Sequence, residues 1–157
     1  MNVIFVCWGN ICRSPMGRFV AEKWFAEAGL DAVVTSAGVS DEEHGNPVYY
    51  TAQQVLREHG YAYAPHRAHQ ITASEIAGAD LVIGFEPIHI SRMRRIAPQA
   101  GNLRLITDFD PDAATDGIAD PWGYPASEFR ETLAGIEAAM PGILAEVQQL
   151  AAAKSKG

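Results

Sequence analysis

The segment Cys7-Trp8-Gly9-Asn10-Ile11-Cys12-Arg13 leaves the chain few ways to fold around it. Ahead of it, the run Val3-Ile4-Phe5-Val6 is apolar without alternation. Such a run reads as a strand buried on both faces, as in a parallel sheet. Behind it, Ser14-Pro15-Met16-Gly17-Arg18-Phe19 reads as a helix start, with a serine able to cap and a proline near the first turn. A strand, a tight glycine-containing loop and a helix N-terminus aim several backbone N–H groups at one point, which makes an anion site. A cysteine opens this loop and an arginine closes it. Cys-x5-Arg sets a nucleophile beneath a tetrahedral anion and a two-pronged cation beside it. The expected chemistry is hydrolysis of a phosphate monoester through a cysteinyl-phosphate.

The residue types follow from that chemistry. A phosphate dianion repels an anionic nucleophile until its charge is spread over donors, and loop amides with the Arg13 guanidinium can do this. Helix N-termini and nearby cations also favour thiolate over thiol. Cys7 should therefore attack without a dedicated base. Ser14 can donate a hydrogen bond to the sulfur. Asn10 is expected to hold the loop through its side chain, and it tolerates a left-handed backbone. Trp8, Gly9, Asn10, Ile11, Cys12 and Ser14 are thus read as the substrate-binding part of the loop.

Three further segments follow this loop in order along the chain: Thr35-Ser36-Ala37-Gly38, His66-Arg67-Ala68-His69-Gln70 and Asp120-Pro121-Trp122-Gly123. Together the four resemble the low-molecular-weight protein tyrosine phosphatases over nearly the whole chain. The resemblance implies phosphotyrosine proteins and small aryl phosphates as substrates, inorganic phosphate as product and no cofactor. It also implies that the Asp-Pro-aromatic loop supplies the general acid, later the base. On the residues alone, Pro121 keeps Asp120 out of a helix, but Asp108, Asp110, Asp112 and Asp116 compete with it as turn or acid residues. The resemblance selects Asp120, with Trp122 and Tyr124 beside the substrate ring. It further implies that Ser36 and His66 brace the loop with Asn10.

Some positions depart from the family pattern. Trp8 stands where a smaller apolar residue is usual, and Ser40-Asp41-Glu42-Glu43 lacks the aromatic cleft wall. Pro47-Val48-Tyr49-Tyr50-Thr51 lacks an Asp-x-Arg helix start, and Gly84-Phe85-Glu86 replaces Met-Asp. Tyr49 or Tyr50 is a candidate replacement wall, with core packing as the alternative.

Strand and helix patterns alternate along residues 1–157 without a linker, so one domain is expected. It is a three-layer α/β/α fold around a mostly four-stranded, twisted parallel sheet. Strands are predicted at 3–6, 32–35, 81–83 and 103–106. Helices are predicted at 15–28, 48–59, just after the Thr72-Ala73-Ser74-Glu75 capping box, and at 88–97. A long loop is expected over 107–124. The last helix shows an apolar face of Phe129, Leu133, Ile136, Met140, Ile143, Val147 and Leu150. Pro141 is expected to kink it, and residues 151–157 to fray.

A net charge of −7 argues against nucleic acid as a partner. No apolar stretch reaches membrane-spanning length, and no basic leader precedes the first strand. A cytoplasmic monomer is the expectation. Arg92-Met93-Arg94-Arg95 reads as a solvated helix face, with a docking patch for acidic substrates as the alternative. His44, His59, His66, His69 and His89 show no paired ligand spacing, so no metal site is expected.

Both cysteines lie in the anion loop, which excludes a structural disulfide framework and suits a reducing compartment. The resemblance implies that Cys12 protects Cys7 through a reversible disulfide; otherwise it is a small side chain packed under the loop. Two rival functions remain, a thiol-linked arsenate reductase of the same fold and a non-catalytic phosphate-dependent binding module. The first would need cysteines away from the loop; the second would need no Cys7, Arg13 and Asp120 together. Phosphoarginine is a third rival, as substrate, but Ile11 with Trp8 and Trp122 suits a flat phenyl ring better.

Overall fold

Alternate side chains of the first strand point into two different cores, and the rest of the molecule is arranged by that division. In the computed structural model, which describes residues 1–156, β1 spans Asn2–Cys7 and is buried from Val3 onward. Val3, Phe5 and Cys7 belong to one apolar cluster, Ile4 and Val6 to another. Both faces of the strand are covered, so its sequence runs apolar without alternation.

The strands β2 (Val33–Gly38), β3 (Leu81–Gly84) and β4 (Leu103–Leu105) complete a four-stranded sheet in the order β2-β1-β3-β4. Every pairing is parallel, with Cys7 opposite Gly38 and Val6 opposite Gly84. The helices are α1 (Arg13–Glu27), α2 (Tyr50–Glu58), α3 (Ala73–Gly78), α4 (Pro87–Ile96) and α5 (Ala126–Lys156). Side chains of α1, α2 and α5 share the cluster of Val3 and Phe5, and Ile76 of α3 and Met93 of α4 share that of Ile4 and Val6. The sheet is thus the middle of three layers, as expected. In an open sheet of this kind, ligands bind at the carboxyl ends of strands where the order reverses. Here that point lies beside β1, and the loop from Cys7 to Arg13 leaves from it.

Local signals account for most boundaries. Thr72 Oγ1 accepts from the Glu75 N–H at 3.1 Å and Glu75 Oε1 accepts from the Thr72 N–H at 3.1 Å, so the capping box closes and starts α3. Gly60, at φ +78°, follows α2. Phe129, Leu133, Ile136, Met140, Ile143 and Val147 are fully buried along one face of α5.

Several expectations are corrected. Ser14 lies inside α1, and Cys12 is the residue that precedes the helix, without a side-chain cap. The long loop opens with a 3-10 turn over Ile106–Phe109. The helix α5, with Pro141 inside it, continues to Lys156 where a frayed tail was predicted. Alanine and lysine are strong helix formers, and Lys154 Nζ reaches Asp80 Oδ1 at 3.1 Å, tying the last turn to the body. Among the described residues no helix is long and apolar enough to cross a membrane.

Candidate active site

Cys7 ends β1 and Arg13 begins α1, both almost completely buried. Between them the backbone turns through Asn10, the one described non-glycine residue at positive φ, +63°. Asparagine is among the few residues that adopt this region without large cost. Its side chain then fixes the loop from beneath. Nδ2 donates to Ser14 Oγ at 2.8 Å and to Ser36 Oγ at 3.0 Å, while Oδ1 accepts from the His69 N–H at 3.1 Å. The backbone donor on Oδ1 settles which end of the amide is oxygen.

Ser14 Oγ lies 3.0 Å from Cys7 Sγ. Because that oxygen already receives an N–H from Asn10, its own proton is free to point at the sulfur. This is the donor a thiolate needs, and it explains why Ser14 does not cap the helix. His66 Nε2 donates to the Asn10 carbonyl oxygen at 2.7 Å, and burial, the leading cause, lowers the histidine's pKa and favours a neutral ring. Gly38 presses the end of β2 against the loop. A Cβ there would sit 2.6 Å from the Trp8 carbonyl oxygen, so no larger residue fits without movement. The segments around Ser36, Gly38 and His66 thus form one brace under the anion loop.

Arg13 is anchored at one end and open at the other. Nη1 donates to the Glu86 carboxylate and, at 2.8 Å, to the Ile118 carbonyl oxygen. Nε is buried without a protein partner, and Nη2 lies 3.9 Å from Asp120 Oδ2. The Nε–Nη2 edge is the fork that matches two oxygens of one oxyanion.

Glu86 is a site residue that sequence reasoning missed, and His89 stands behind it. The histidine is fully buried, and its Nδ1 accepts the N–H groups of Glu86 at 2.9 Å and Phe85 at 3.2 Å. Burial, with the Arg13 charge second, pushes its pKa down to about 3, so the ring is neutral. His89 pins the turn that presents Glu86 to Arg13. A histidine three residues beyond a glutamate at a helix start was the available signal. Nothing in the sequence linked that turn to Arg13.

The loop opens into a hollow of about 190 Å³. Cys7, Trp8, Gly9, Ile11, Cys12 and Arg13 line it from the loop, and Glu42, Glu43, Asp120 and Trp122 from the facing segments. Asp120 Oδ1 accepts the Trp122 N–H at 3.1 Å, an Asx turn that orients the half-exposed carboxylate. Tyr49 does not line the hollow. Its ring stacks on Phe129 at 5.8 Å and meets Trp122 at 6.5 Å, so it props the tryptophan from the core. Tyr50 is exposed and packs on Tyr49 at 4.6 Å.

Where the Ser40–Glu43 segment lacks an aromatic wall, two carboxylates, Glu42 and Glu43, line the hollow instead. Three predicted substrate-binding residues fall elsewhere. Asn10 and Ser14 are fully buried beneath the loop, and exposed Tyr124 lines a separate depression on another side of Asp120. Cys12 does line the hollow, but burial first and the Cys7 charge second push its thiol well above the usual range. Of the two sulfurs, only Cys7 is hydrogen-bonded by Ser14.

A thiol, a guanidinium edge and a carboxylate thus line one small hollow together with two tryptophans, an arrangement that could serve in-line displacement at phosphorus. The comparisons with known proteins agree with it. A model of the low molecular weight phosphotyrosine protein phosphatase family matches residues 2–153. Low molecular weight protein-tyrosine phosphatase A of Mycobacterium tuberculosis is 41% identical over 151 residues, 91% of this chain and 89% of that protein. The Streptomyces coelicolor low molecular weight protein-tyrosine-phosphatase is 36% identical over 155 residues, 94% of each. The crystal structure of YfkJ from Bacillus subtilis superposes with a TM-score of 0.89 at 27% identity, covering 95% of both chains. Since the matched span takes in the cysteine loop, the Glu86 turn and the Asp120 loop alike, the chain belongs to the low-molecular-weight phosphotyrosine protein phosphatase family.

Proposed function

We propose that this protein hydrolyses phosphotyrosine in proteins, and small aryl phosphates, through a phosphocysteine intermediate. The observation that carries the reading is the Arg13 Nε–Nη2 edge, its Nε buried without a partner and its Nη2 3.9 Å from Asp120 Oδ2, in a hollow that Cys7 also lines. The loop N–H groups and this edge take the non-bridging phosphate oxygens. Cys7 Sγ attacks phosphorus; the S–P bond forms as the P–O bond to the aryl group breaks. Asp120 gives its proton to the leaving phenolate oxygen. A water then attacks the phosphocysteine and passes a proton to Asp120, the S–P bond breaks, and inorganic phosphate leaves. Trp8, Ile11 and Trp122 supply the apolar surface for the ring.

Fully reduced protein is expected to hydrolyse p-nitrophenyl phosphate and a phosphotyrosine peptide in the presence of a metal chelator. Continuous release of p-nitrophenolate and of phosphate measures it. A folded, reduced protein without turnover on either substrate overturns the reading, and arsenate chemistry or phosphate-dependent binding is tested next.

A reversible redox state of the same site is part of the proposal, as is a reducing, cytoplasmic setting. Peroxide converts the Cys7 thiolate to a sulfenic acid, and attack by Cys12 releases water and leaves a disulfide. Oxidation removes the Cys7 negative charge, one of the causes holding Cys12 as a thiol. The wild type is expected to regain most activity with a thiol reductant after peroxide, and Cys12→Ser only a small part. Equal recovery of the two leaves Cys12 as a packing residue.

A further inference from the structure

We infer that the hollow between α4 and the Gln70–Thr72 segment is a subsite for an acidic side chain of the phosphotyrosine substrate. Arg92 and Arg95, three apart on α4, lie on the same face of the helix and line a hollow of about 450 Å³ with Gln70, Ile71, Thr72 and Ile96. Met93, between them in sequence, is fully buried in the core cluster of Ile4 and Val6. Arg92, Arg94 and Arg95 are all exposed, as a solvated helix face requires, but of the three only Arg92 and Arg95 line this hollow.

Arg92 connects this hollow to the catalytic one. Its guanidinium lies 5.0 Å from the centroid of the Trp8 ring, and Trp8 lines the hollow above Cys7. A substrate ring beside Trp8 therefore has a fixed cation one side chain away. A cation stacked on an indole is oriented without being neutralised.

Charge points to the occupant. The chain carries a net charge of −7, yet among the described residues neither Arg92 nor Arg95 has a carboxylate within 4.0 Å. Arg13 and Arg18, by contrast, are engaged by Glu86 and Glu22. The carboxylate of Glu75, on the neighbouring helix α3, is taken by His69 at 2.8 Å and by the Thr72 N–H. Glu42 and Glu43, in contrast, line the catalytic hollow itself. The entrance is polarised, with cations beyond Trp8 and carboxylates elsewhere on the rim. An extended peptide crossing it is matched when its acidic residue lies on the Trp8 side, and it is repelled when that residue meets Glu42 and Glu43.

This inference rests on the phosphatase reading, and the test separates the two. Three phosphotyrosine peptides are compared at low ionic strength: neutral flanks, two glutamates before the phosphotyrosine, and two glutamates after it. One placement is expected to raise kcat/KM about fivefold over the neutral peptide, as one or two part-exposed ion pairs allow, and the other to give no gain. The gain should fade as salt is raised. Arg95→Glu, which does not touch Trp8, and Arg92→Glu/Arg95→Glu should each remove the gain. The readout is the ratio between peptides, so a general loss of activity does not imitate it. Equal rates for all three peptides, equal gains from both placements, or a gain unaffected by the variants overturns the subsite. If p-nitrophenyl phosphate is not hydrolysed at all, the phosphatase reading fails first.

Discussion

A Cys7→Ser protein is expected to lose turnover of aryl phosphates by about 10⁴-fold or more while still binding inorganic phosphate, because the serine hydroxyl has nothing to deprotonate it. A thiolate in this loop needs no base, but an alkoxide does. The histidines around the loop are already committed, the His69 ring to Glu75 at 2.8 Å. His66 donates Nε2–H to the Asn10 carbonyl oxygen, and His89 accepts two backbone N–H groups through Nδ1 while buried behind Glu86. Ser14 is a neutral hydroxyl, too weakly basic to take a proton from residue 7. The anion site itself survives the exchange, as the Arg13 fork and loop amides are untouched and one anionic charge beneath the phosphate is gone. Steady-state rates against calorimetric phosphate affinity separate the two effects. In wild type, acid quench during turnover should yield one phosphoryl adduct on the peptide containing Cys7. A Cys7→Ser protein within about tenfold of wild type would remove Cys7 as the nucleophile.

How much of this was legible in the sequence depends on how local each relation is. Cys7, Asn10, Arg13 and Ser14 lie within eight positions, so strand, loop and helix signals could be read together and their convergence inferred. The parallel sheet followed from apolar runs too short to be helices and too continuous to face water. Glu86 was visible only as a departure from a family pattern. Its hold on Arg13 comes from the pairing of β1 with β3, which brings the carboxyl ends of two strands together across 73 positions.

Similar reasoning covers the other misses. Tyr49 and Tyr50 were legible as aromatics near the cleft, but only Phe129, far along the chain, decides that Tyr49 faces the core. Ser14 had the right identity for a cap, and its hydroxyl went to the stronger demand of the sulfur. The division of Arg92 and Arg95 from Met93 needed the helix to be placed before its charged face had an address.

An Asp120→Asn protein is expected to lose about 10²- to 10⁴-fold in kcat on phosphotyrosine, the range for removing a positioned acid, and to lose the alkaline limb of its pH profile. The sign follows from the roles. Attack needs the Cys7 thiolate, which gives the profile its acid limb. Departure needs a protonated Asp120, so the rate falls on the alkaline side as that proton is lost. An asparagine cannot donate in this way, and the remaining profile should rise to a plateau. The loss should also depend on the leaving group. A p-nitrophenolate departs with little help, so its rate should fall much less than that of phosphotyrosine. Geometry argues that the change stays local, since Asp120 is half exposed and its turn is made by Oδ1, which asparagine retains. A profile that keeps its alkaline limb, or equal losses on both substrates, would take the acid role from Asp120. The nearby carboxylates that line the same hollow, Glu42 and Glu43, would then be the ones to replace.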